Sequence, residues 1–256
     1  MTRIYHIVHF SDNNSIYIFF RGCNFRCTGC ILKSSPWDCH LTDRIRCRLQ
    51  SLSSVEELSL DSMQRIVEPL CTESAVLGGG EPTTDPQLTD VIRLLRGLKV
   101  RTALLTNGYA LNENKIEELR DAGLDEVCVS IKAIKDALHI PYTGKSNKRV
   151  LRNFKLLSKS GMPIKAESVL IPQLIEQDEI KTIASFIASV DPSIHYRVDA
   201  YVPVPGASWR QPSEEEVSQA VEQANEHLEN VSYIWKGTEL KGNVANVYPP
   251  LQHESR

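Results

Sequence analysis

No apolar run in the sequence approaches the roughly 20 residues that a helix needs to span a bilayer. The first ten residues, MTRIYHIVHF, alternate in polarity and lack the basic, apolar and small segments of a secretory signal. A large excess of charge of one sign is also missing, because 29 Lys and Arg residues and 32 Asp and Glu residues give a formal net charge of −3. Without an excess of positive charge, neither nucleic acid nor an anionic membrane is expected as a partner. These absences predict a cytoplasmic protein.

Three of the seven cysteines, Cys23, Cys27 and Cys30, lie close together in a Cys-x3-Cys-x2-Cys loop directly after the apolar run 16–20. Clustered cysteines in a cytoplasmic chain are more often metal ligands or catalytic groups than disulfides. Structural zinc usually takes four protein ligands, commonly as two short pairs. The sequence has no second cysteine pair or Cys/His pair that would complete such a site with this loop. A [4Fe–4S] cube is usually held by four thiolates, so three would leave one iron open for chemistry. The spacing favours an iron–sulfur cube over zinc.

The other four cysteines are widely spaced. Cys128 lies in an apolar run and Cys71 follows a helical segment, so both are expected to be buried as small hydrophobic side chains. Cys39 and Cys47 flank a polar connection. Their spacing leaves open whether Cys39, Cys47 or Cys71 binds a second cluster.

Strand and helix patterns alternate along most of the chain. The predicted strands cover 5–10, 16–22, 74–78, 101–106, 126–132, 164–171 and 194–204, and the predicted helices cover 61–71, 85–95, 112–122, 147–160, 177–190 and 213–228. From residue 16 onward six strands alternate with helices, which indicates βαβ units and a parallel sheet. Six units are too few for the usual eight-stranded barrel, so an open doubly wound sheet and a curved partial barrel both fit. Residues 31–60 and the tail from 242 are expected to be irregular.

Glycine and polar residues recur where the predicted strands end, at the edge where parallel α/β sheets bind their ligands. The candidates are Gly79, Gly80, Glu81, Thr106, Asn107, Ser130, Lys132 and, within its strand, Glu167. Successive glycines let a backbone approach a ligand closely, and Glu81 beside exposed N–H groups could meet an ammonium group. The segment lacks the Gly-Lys-Ser/Thr of a Walker phosphate loop.

The cysteine loop after one strand, with Gly79-Gly80-Glu81-Pro82 after the next, resembles the radical S-adenosylmethionine (radical SAM) superfamily. The resemblance implies an α/β, single-domain (βα)6 partial TIM barrel with parallel strands. An N-terminal segment, 1–15, would precede the core, 16–230, which carries an insertion at about 31–60, and a tail, 231–256, would follow. It further implies a [4Fe–4S] cluster on the three clustered cysteines, with the open iron chelated by S-adenosylmethionine. Reductive cleavage would give methionine and a 5′-deoxyadenosyl radical that abstracts a hydrogen atom.

The same resemblance implies roles for the strand-end residues. Gly79, Gly80 and Glu81 would hold the methionine amino group. Polar groups at Thr106, Asn107, Ser130 and Lys132 would face the carboxylate and ribose, and Glu167 completes the implied cofactor-binding set.

Within the superfamily, the order of features is most similar to the pyruvate formate-lyase activating enzymes, over about His6 to Trp209. This similarity implies hydrogen abstraction from a protein substrate to form a glycyl radical, with an electron donor of the flavodoxin or ferredoxin type. The chain departs from that group in having Gly29, where an aromatic residue normally precedes the third cysteine and packs near adenine. It departs again at residues 11–14, where the activases carry Asp-Gly-Pro-Gly.

These departures leave open a radical enzyme that acts on a small molecule or modifies a protein or nucleoside, of the mutase, methylase or deazapurine synthase type. A non-catalytic iron–sulfur or zinc-binding protein is a more distant alternative. The basic run of Lys145, Lys148, Arg149 and Arg152 is either a solvated helix face or a docking site for an acidic electron donor. The substrate, the site of hydrogen abstraction, the fate of S-adenosylmethionine and the oligomeric state are not readable from the sequence.

Overall fold

A computed structural model describes residues 1–236, 238 and 242–251. The strands are β1 (Ile4–Phe10), β2 (Ser15–Phe20), β3 (Ser74–Gly79), β4 (Arg101–Thr106), β5 (Glu126–Ser130), β6 (Ile164–Leu170), β7 (His195–Ala200), β8 (Val231–Ile234) and β9 (Val244–Tyr248). The helices are α1 (Asp43–Gln50), α2 (Leu60–Val67), α3 (Leu88–Gly97), α4 (Glu113–Ala122), α5 (Asp136–Thr143), α6 (Lys148–Ser158), α7 (Gln177–Ala188) and α8 (Glu214–Asn225). No helix among these described residues is long and apolar enough to cross a membrane.

All nine strands belong to one sheet with the order β8-β7-β6-β5-β4-β3-β2-β1-β9. Strands β2 to β8 are parallel, whereas β1 runs antiparallel to both β2 and β9. Within the described residues the edge strands β8 and β9 do not pair, so the sheet stays open. The predicted (βα)6 partial barrel with parallel strands is confirmed in β2 to β7.

Alternate residues of each strand face opposite sides of the sheet. One side is fully buried beneath the helices and is lined by Ile18, Leu77, Leu104, Val127, Ala166 and Val198. The other side, which we call the inner face, is only partly buried and carries Val76, Ala103, Cys128, Arg197 and Asp199. The polar residues at the carboxyl ends of the strands meet along one edge of this sheet.

Local signals set several helix ends as the sequence predicts. Asn112 accepts a hydrogen bond from the backbone N–H of Lys115 at the start of α4, and Gly123 ends that helix with a φ of 98°. Ser213 and Glu216 form a reciprocal capping box at the start of α8.

Three features differ from what the sequence predicts. The segment 31–60 contains α1, which buries only Leu49 and therefore shows little apolar periodicity. Helix α5 lies where no helix was predicted, because Pro141 interrupts its pattern. Cys71 is exposed rather than buried, and it adopts a φ of 48° at the end of a short 3-10 turn.

The tail from residue 242 is also not irregular throughout. Strand β9 pairs with β1, with Asn246 opposite Val8 and Tyr248 opposite Ile7. The buried His6 ring contacts the carbonyl oxygen of Tyr248 through Nδ1 at 2.6 Å. These partners lie at opposite ends of the sequence, so local patterns could not reveal them. Residues 252–256 of the predicted tail lie outside the described residues.

Candidate functional site

The cysteine loop follows β2 and is fixed to the carboxyl end of α5. The backbone N–H groups of Arg26 and Thr28 donate to the carbonyl oxygens of Thr143 and Tyr142, each at 2.9 Å. Within the loop, the Phe25 N–H donates to Cys23 Sγ at 3.3 Å. The helix that the sequence did not reveal therefore sets the backbone that presents the thiols.

All seven cysteines are free thiols. In the loop, Cys23 is exposed, whereas Cys27 and Cys30 are partly buried. Burial raises the pKa of Cys27 to about 11, Lys132 opposes this rise, and the charges of Cys30 and Cys23 add to it. Burial also raises the pKa of Cys23. The three thiols thus influence one another, and a metal centre would be needed to hold them together as thiolates.

The spacing of the three sulfurs differs from that of a single-ion site. Among the described residues, the one set of three ligand atoms lying within 4.8 Å of one another belongs to Asp38, Cys39 and His40. The clustered cysteines do not form such a set. In a [4Fe–4S] cube each thiolate binds its own iron, so wider spacing is expected there.

Two buried polar atoms in the loop lack a hydrogen-bond partner: Asn24 Nδ2 and Thr28 Oγ1. Buried polar atoms without partners are rare in folded proteins, and a bound ion, group or water is one explanation for them. Hydrogen bonds to cluster sulfurs are among the factors that set a cluster's reduction potential. Three free thiols beside two unpaired donors fit a [4Fe–4S] cluster held by three cysteines.

The buried carboxylate of Glu81 is the centre of a hydrogen-bond network. Its Oε1 accepts from Thr83 N at 3.1 Å, from Thr83 Oγ1 at 2.5 Å and from Thr106 Oγ1 at 2.6 Å. Its Oε2 accepts from Asn107 N at 2.7 Å. Burial raises the pKa of Glu81, and the donors from Thr106, Thr83 and Asn107 oppose that rise. The carboxylate therefore joins the end of β3 to the end of β4.

The glycines before Glu81 bring two backbones into contact. A Cβ at Gly80 would lie 2.1 Å from the Gly22 carbonyl oxygen and 2.7 Å from that of Phe20. The expectation of exposed N–H groups in this turn is wrong. The N–H of Gly79 donates to the Tyr17 hydroxyl at 3.1 Å, and those of Gly80 and Glu81 donate to Phe20 and Gly22 at 2.8 Å.

Asn107 links the Glu81 hydrogen-bond network to the cysteine loop. Its Nδ2 lies 2.7 Å from Asn24 Oδ1 and 3.7 Å from Cys23 Sγ. Its Oδ1 accepts from the Tyr109 N–H at 3.0 Å. The two segments that the sequence marks separately, the thiol loop and the glycine turn, thus meet through one asparagine side chain.

The remaining predicted residues lie on the inner face. Ser130 and Glu167 are register partners on β5 and β6, and Lys132 Nζ donates to the Ser130 hydroxyl. Sequence reasoning missed Arg197 and Asp199 on β7. Arg197 donates to Glu167 at 2.6 Å and to Asp199 at 2.8 Å. Arg197 and Asp199 are two residues apart in the seventh predicted strand, so both side chains lie on one face of it. This spacing of two charged residues was the signal that could have identified them.

Gly29 lies against two aromatic rings. A Cβ at this position would be 3.0 Å from Tyr201 Cε2 and 3.1 Å from the Tyr142 hydroxyl oxygen. The Trp209 ring packs against both, with centroids 6.0 Å from Tyr142 and 6.1 Å from Tyr201. Rings from α5 and from the end of β7 therefore occupy the space that a side chain at position 29 would need.

The thiols of Cys39, Cys47 and Cys71, the candidates for a second cluster, do not lie together. His40 Nδ1 lies 2.9 Å from Asp38 Oδ1, and hydrogen bonds with Asp38 and Cys39 raise the pKa of His40 to about 10. In the part of the chain that the structure describes, no set of three ligand atoms joins Cys39 with Cys47 or Cys71.

Comparison with known proteins gives one family. A family model described as the radical SAM superfamily matches residues 17–187, more than half of the chain. A relative from Methanocaldococcus jannaschii, named "Putative glycyl-radical enzyme activating enzyme", is 30% identical over 233 residues, covering 88% of this chain and 83% of the relative. A GTP 3′,8-cyclase from Microcystis aeruginosa is 28% identical over 189 residues, covering 71% of this chain and 54% of the cyclase.

A solved structure has a similar fold. SuiB from Streptococcus suis, bound to S-adenosylmethionine, aligns with a TM-score of 0.65 and 16% identity, covering 85% of this chain and 49% of SuiB. The chain therefore spans most of the archaeal relative but about half of the cyclase and of SuiB. The likeness to SuiB concerns the fold alone.

Proposed function

The chain belongs to the radical SAM superfamily, and from this premise we propose that it is an activating enzyme that abstracts a hydrogen atom from a partner protein. The observation that carries the proposal is the relative with an activating-enzyme name, which matches this chain along 83% of its own length. The cyclase match leaves about half of that enzyme without a counterpart. An open inner face also suits a substrate too large to be enclosed.

Radical SAM enzymes use a [4Fe–4S] cluster and S-adenosylmethionine, whose reductive cleavage supplies the 5′-deoxyadenosyl radical. In this chain Cys23, Cys27 and Cys30 would hold the cluster. The Asn24 and Thr28 donors would face it, and the charge of Lys132 opposes the rise in the pKa of Cys23 and Cys27 that burial causes. An electron donor of the flavodoxin or ferredoxin type completes the proposed set of partners.

The glycine turn would bind the amino end of the cosubstrate through carbonyl oxygens. An ammonium group needs acceptors, and the N–H groups of this turn are already bonded within the protein. Glu81 would then act through position rather than contact, because its carboxylate receives bonds from Thr83, Thr106 and Asn107. Lys132 and Ser130 would face the carboxylate and ribose, as the family resemblance implies.

A second candidate is a radical enzyme acting on a small polar molecule. The ion network of Glu167, Arg197 and Asp199 on the inner face favours it, because charged side chains in a partly buried cleft are typical of small-ligand recognition. The GTP cyclase relative points the same way.

Anaerobic reconstitution tests the shared chemistry. We expect about four irons and four sulfides per chain, and cleavage of S-adenosylmethionine to 5′-deoxyadenosine in the presence of dithionite. The Cys27→Ala protein should lose both the iron and the cleavage activity, whereas Cys47→Ala, at an exposed cysteine on α1 outside the loop, should keep both. Cleavage by the Cys27→Ala protein at the wild-type rate would refute the assignment.

The two candidates differ in where the radical ends. An activating enzyme should leave a stable organic radical, visible by electron paramagnetic resonance, on a glycyl-radical protein encoded near its gene. A small-molecule enzyme should leave that protein without a radical signal and should consume a metabolite from a cell extract. Absence of a protein-based radical, together with a consumed metabolite, would replace the first candidate by the second.

A further inference from the structure

A group of cations, which we call the basic patch, lies beside the cysteine loop. It consists of Arg26 in the loop, Lys145 just after α5, and Lys148, Arg149 and Arg152 on the first turns of α6. All are exposed except Lys145, which is partly buried. The loop and the patch form one surface, because Arg26 N donates to the carbonyl oxygen of Thr143 and a Cβ at Gly144 would lie 3.9 Å from the Arg26 Cβ.

An aromatic ring holds the centre of the patch in place. Lys145 Nζ lies 4.4 Å, and the Arg149 guanidinium carbon 4.6 Å, from the centroid of the Tyr109 ring. The Lys145 carbonyl oxygen is bonded to the buried His139 ring at 2.7 Å. A purely solvated run would extend freely into water, whereas these two cations are drawn onto one ring.

The same ring leads directly to the first cysteine. Tyr109 packs edge-on against Phe25 with centroids 5.5 Å apart, and the Phe25 N–H donates to Cys23 Sγ. By a second route, the Tyr109 N–H donates to Asn107, whose Nδ2 lies 3.7 Å from the same sulfur. The basic patch is thus joined to the thiol loop by contacts through Tyr109, Phe25 and Asn107.

We propose that the basic patch is the docking site for an acidic one-electron carrier protein, which reduces the cluster through this face. The inference rests on the proposed function, since a cluster on the loop must receive an electron before each cleavage. One electron leaves the carrier and enters the cluster, and no bond forms or breaks in that step. Charge complementarity argues for the partner: redox encounters use small interfaces whose opposite charges speed association.

The experiment compares two reductants on the reconstituted holoenzyme. Flavodoxin hydroquinone, an acidic protein, is the macromolecular probe, and dithionite is the small one. The test variant is Lys145→Glu/Arg149→Glu. The control variant, Arg65→Glu/Arg93→Glu, makes the same change in net charge at two exposed arginines on α2 and α3. Stopped-flow spectroscopy gives the rate constant for cluster reduction, and the yield of 5′-deoxyadenosine gives turnover.

We expect the rate constant with flavodoxin to fall at least about tenfold in the test variant and to lose its dependence on salt. The control variant should match wild type, and dithionite should drive cleavage equally in all three proteins. Wild-type rates with flavodoxin in the test variant would overturn the docking proposal alone. Equal loss with dithionite would also overturn it, by showing that the patch serves the substrate or the fold instead. Failure of wild type with dithionite would instead refute the proposed function.

Discussion

Substituting Gly80 by alanine should separate the glycine turn from the cysteine loop. The added Cβ would lie 2.1 Å from the Gly22 carbonyl oxygen and 2.7 Å from that of Phe20, and both are backbone atoms that no rotamer change can move. Relief requires β3 to part from the end of β2. The hydrogen bonds from Gly80 N to Phe20 and from Glu81 N to Gly22, each 2.8 Å, must then lengthen or break.

The magnitude follows from those two effects. Overpacking a filled interior costs about 1–3 kcal/mol, and each buried backbone group left unpaired costs about 1–3 kcal/mol. Taking the overpacking and the loss of one of the two hydrogen bonds each at its central value of about 2 kcal/mol, we expect Gly80→Ala to lower the free energy of unfolding of the iron-free protein by about 4 kcal/mol. Because small proteins are stable by only about 5–15 kcal/mol, the variant should be marginally folded at about 25 °C.

Urea denaturation followed by circular dichroism measures this loss, and the iron content after reconstitution measures the effect on the loop. Gly97→Ala is the matched control. Gly97 ends α3, and nothing lies within 4 Å of the position that a Cβ would take there, so alanine should be neutral or stabilise by up to about 1 kcal/mol. A Gly80→Ala protein within about 1 kcal/mol of wild type, with full iron content, would refute the close-approach reasoning.

Three further changes test other parts of the fold. Burial lowers the pKa of His6 from 6.5 to about 4. The unfolded state therefore binds the proton first, and the free energy of unfolding should decrease as pH falls from about 6.5 to about 4, by roughly 3 kcal/mol; His6→Gln should flatten this dependence in urea titrations across that range. Glu81→Gln places an amide N–H against the Asn107 N–H and should cost about 2 kcal/mol, with reduced iron content. Ser213→Ala removes the cap of α8 and should cost about 1 kcal/mol, seen as a lower thermal midpoint with unchanged iron content.

The succession of strands and helices along the chain could be predicted because each element carries its own period, whereas the order of the strands in the sheet could not. Strand β4 runs from Arg101 to Thr106 as the pattern predicts, and α4 begins after Asn112 and ends at Gly123 for local reasons. The same patterns place polar residues at the carboxyl ends of the strands. That placement is enough to find the edge of the sheet where the site lies.

What the sequence could not predict depends on partners far apart in the chain. The carboxylate of Glu81 accepts hydrogen bonds from Thr106 and Asn107, which are 25 and 26 residues away in the sequence. Strand β9 needs β1, and the ion network needs Arg197 beside Glu167. Each contact arises only when the sheet is assembled, so neither composition nor spacing contains it.

The two tyrosines around Gly29 bear on how this chain can change over evolutionary time. The rings of Tyr142 and Tyr201 fill the space that a side chain at position 29 would need. An aromatic residue could enter position 29 only after one of those rings had become smaller, and losing a ring first would open a cavity beside Cys30. Viable substitutions at these positions are therefore epistatic and must occur in a restricted order. In an alignment of close relatives, a bulky residue at position 29 should coincide with a small one at position 142 or 201.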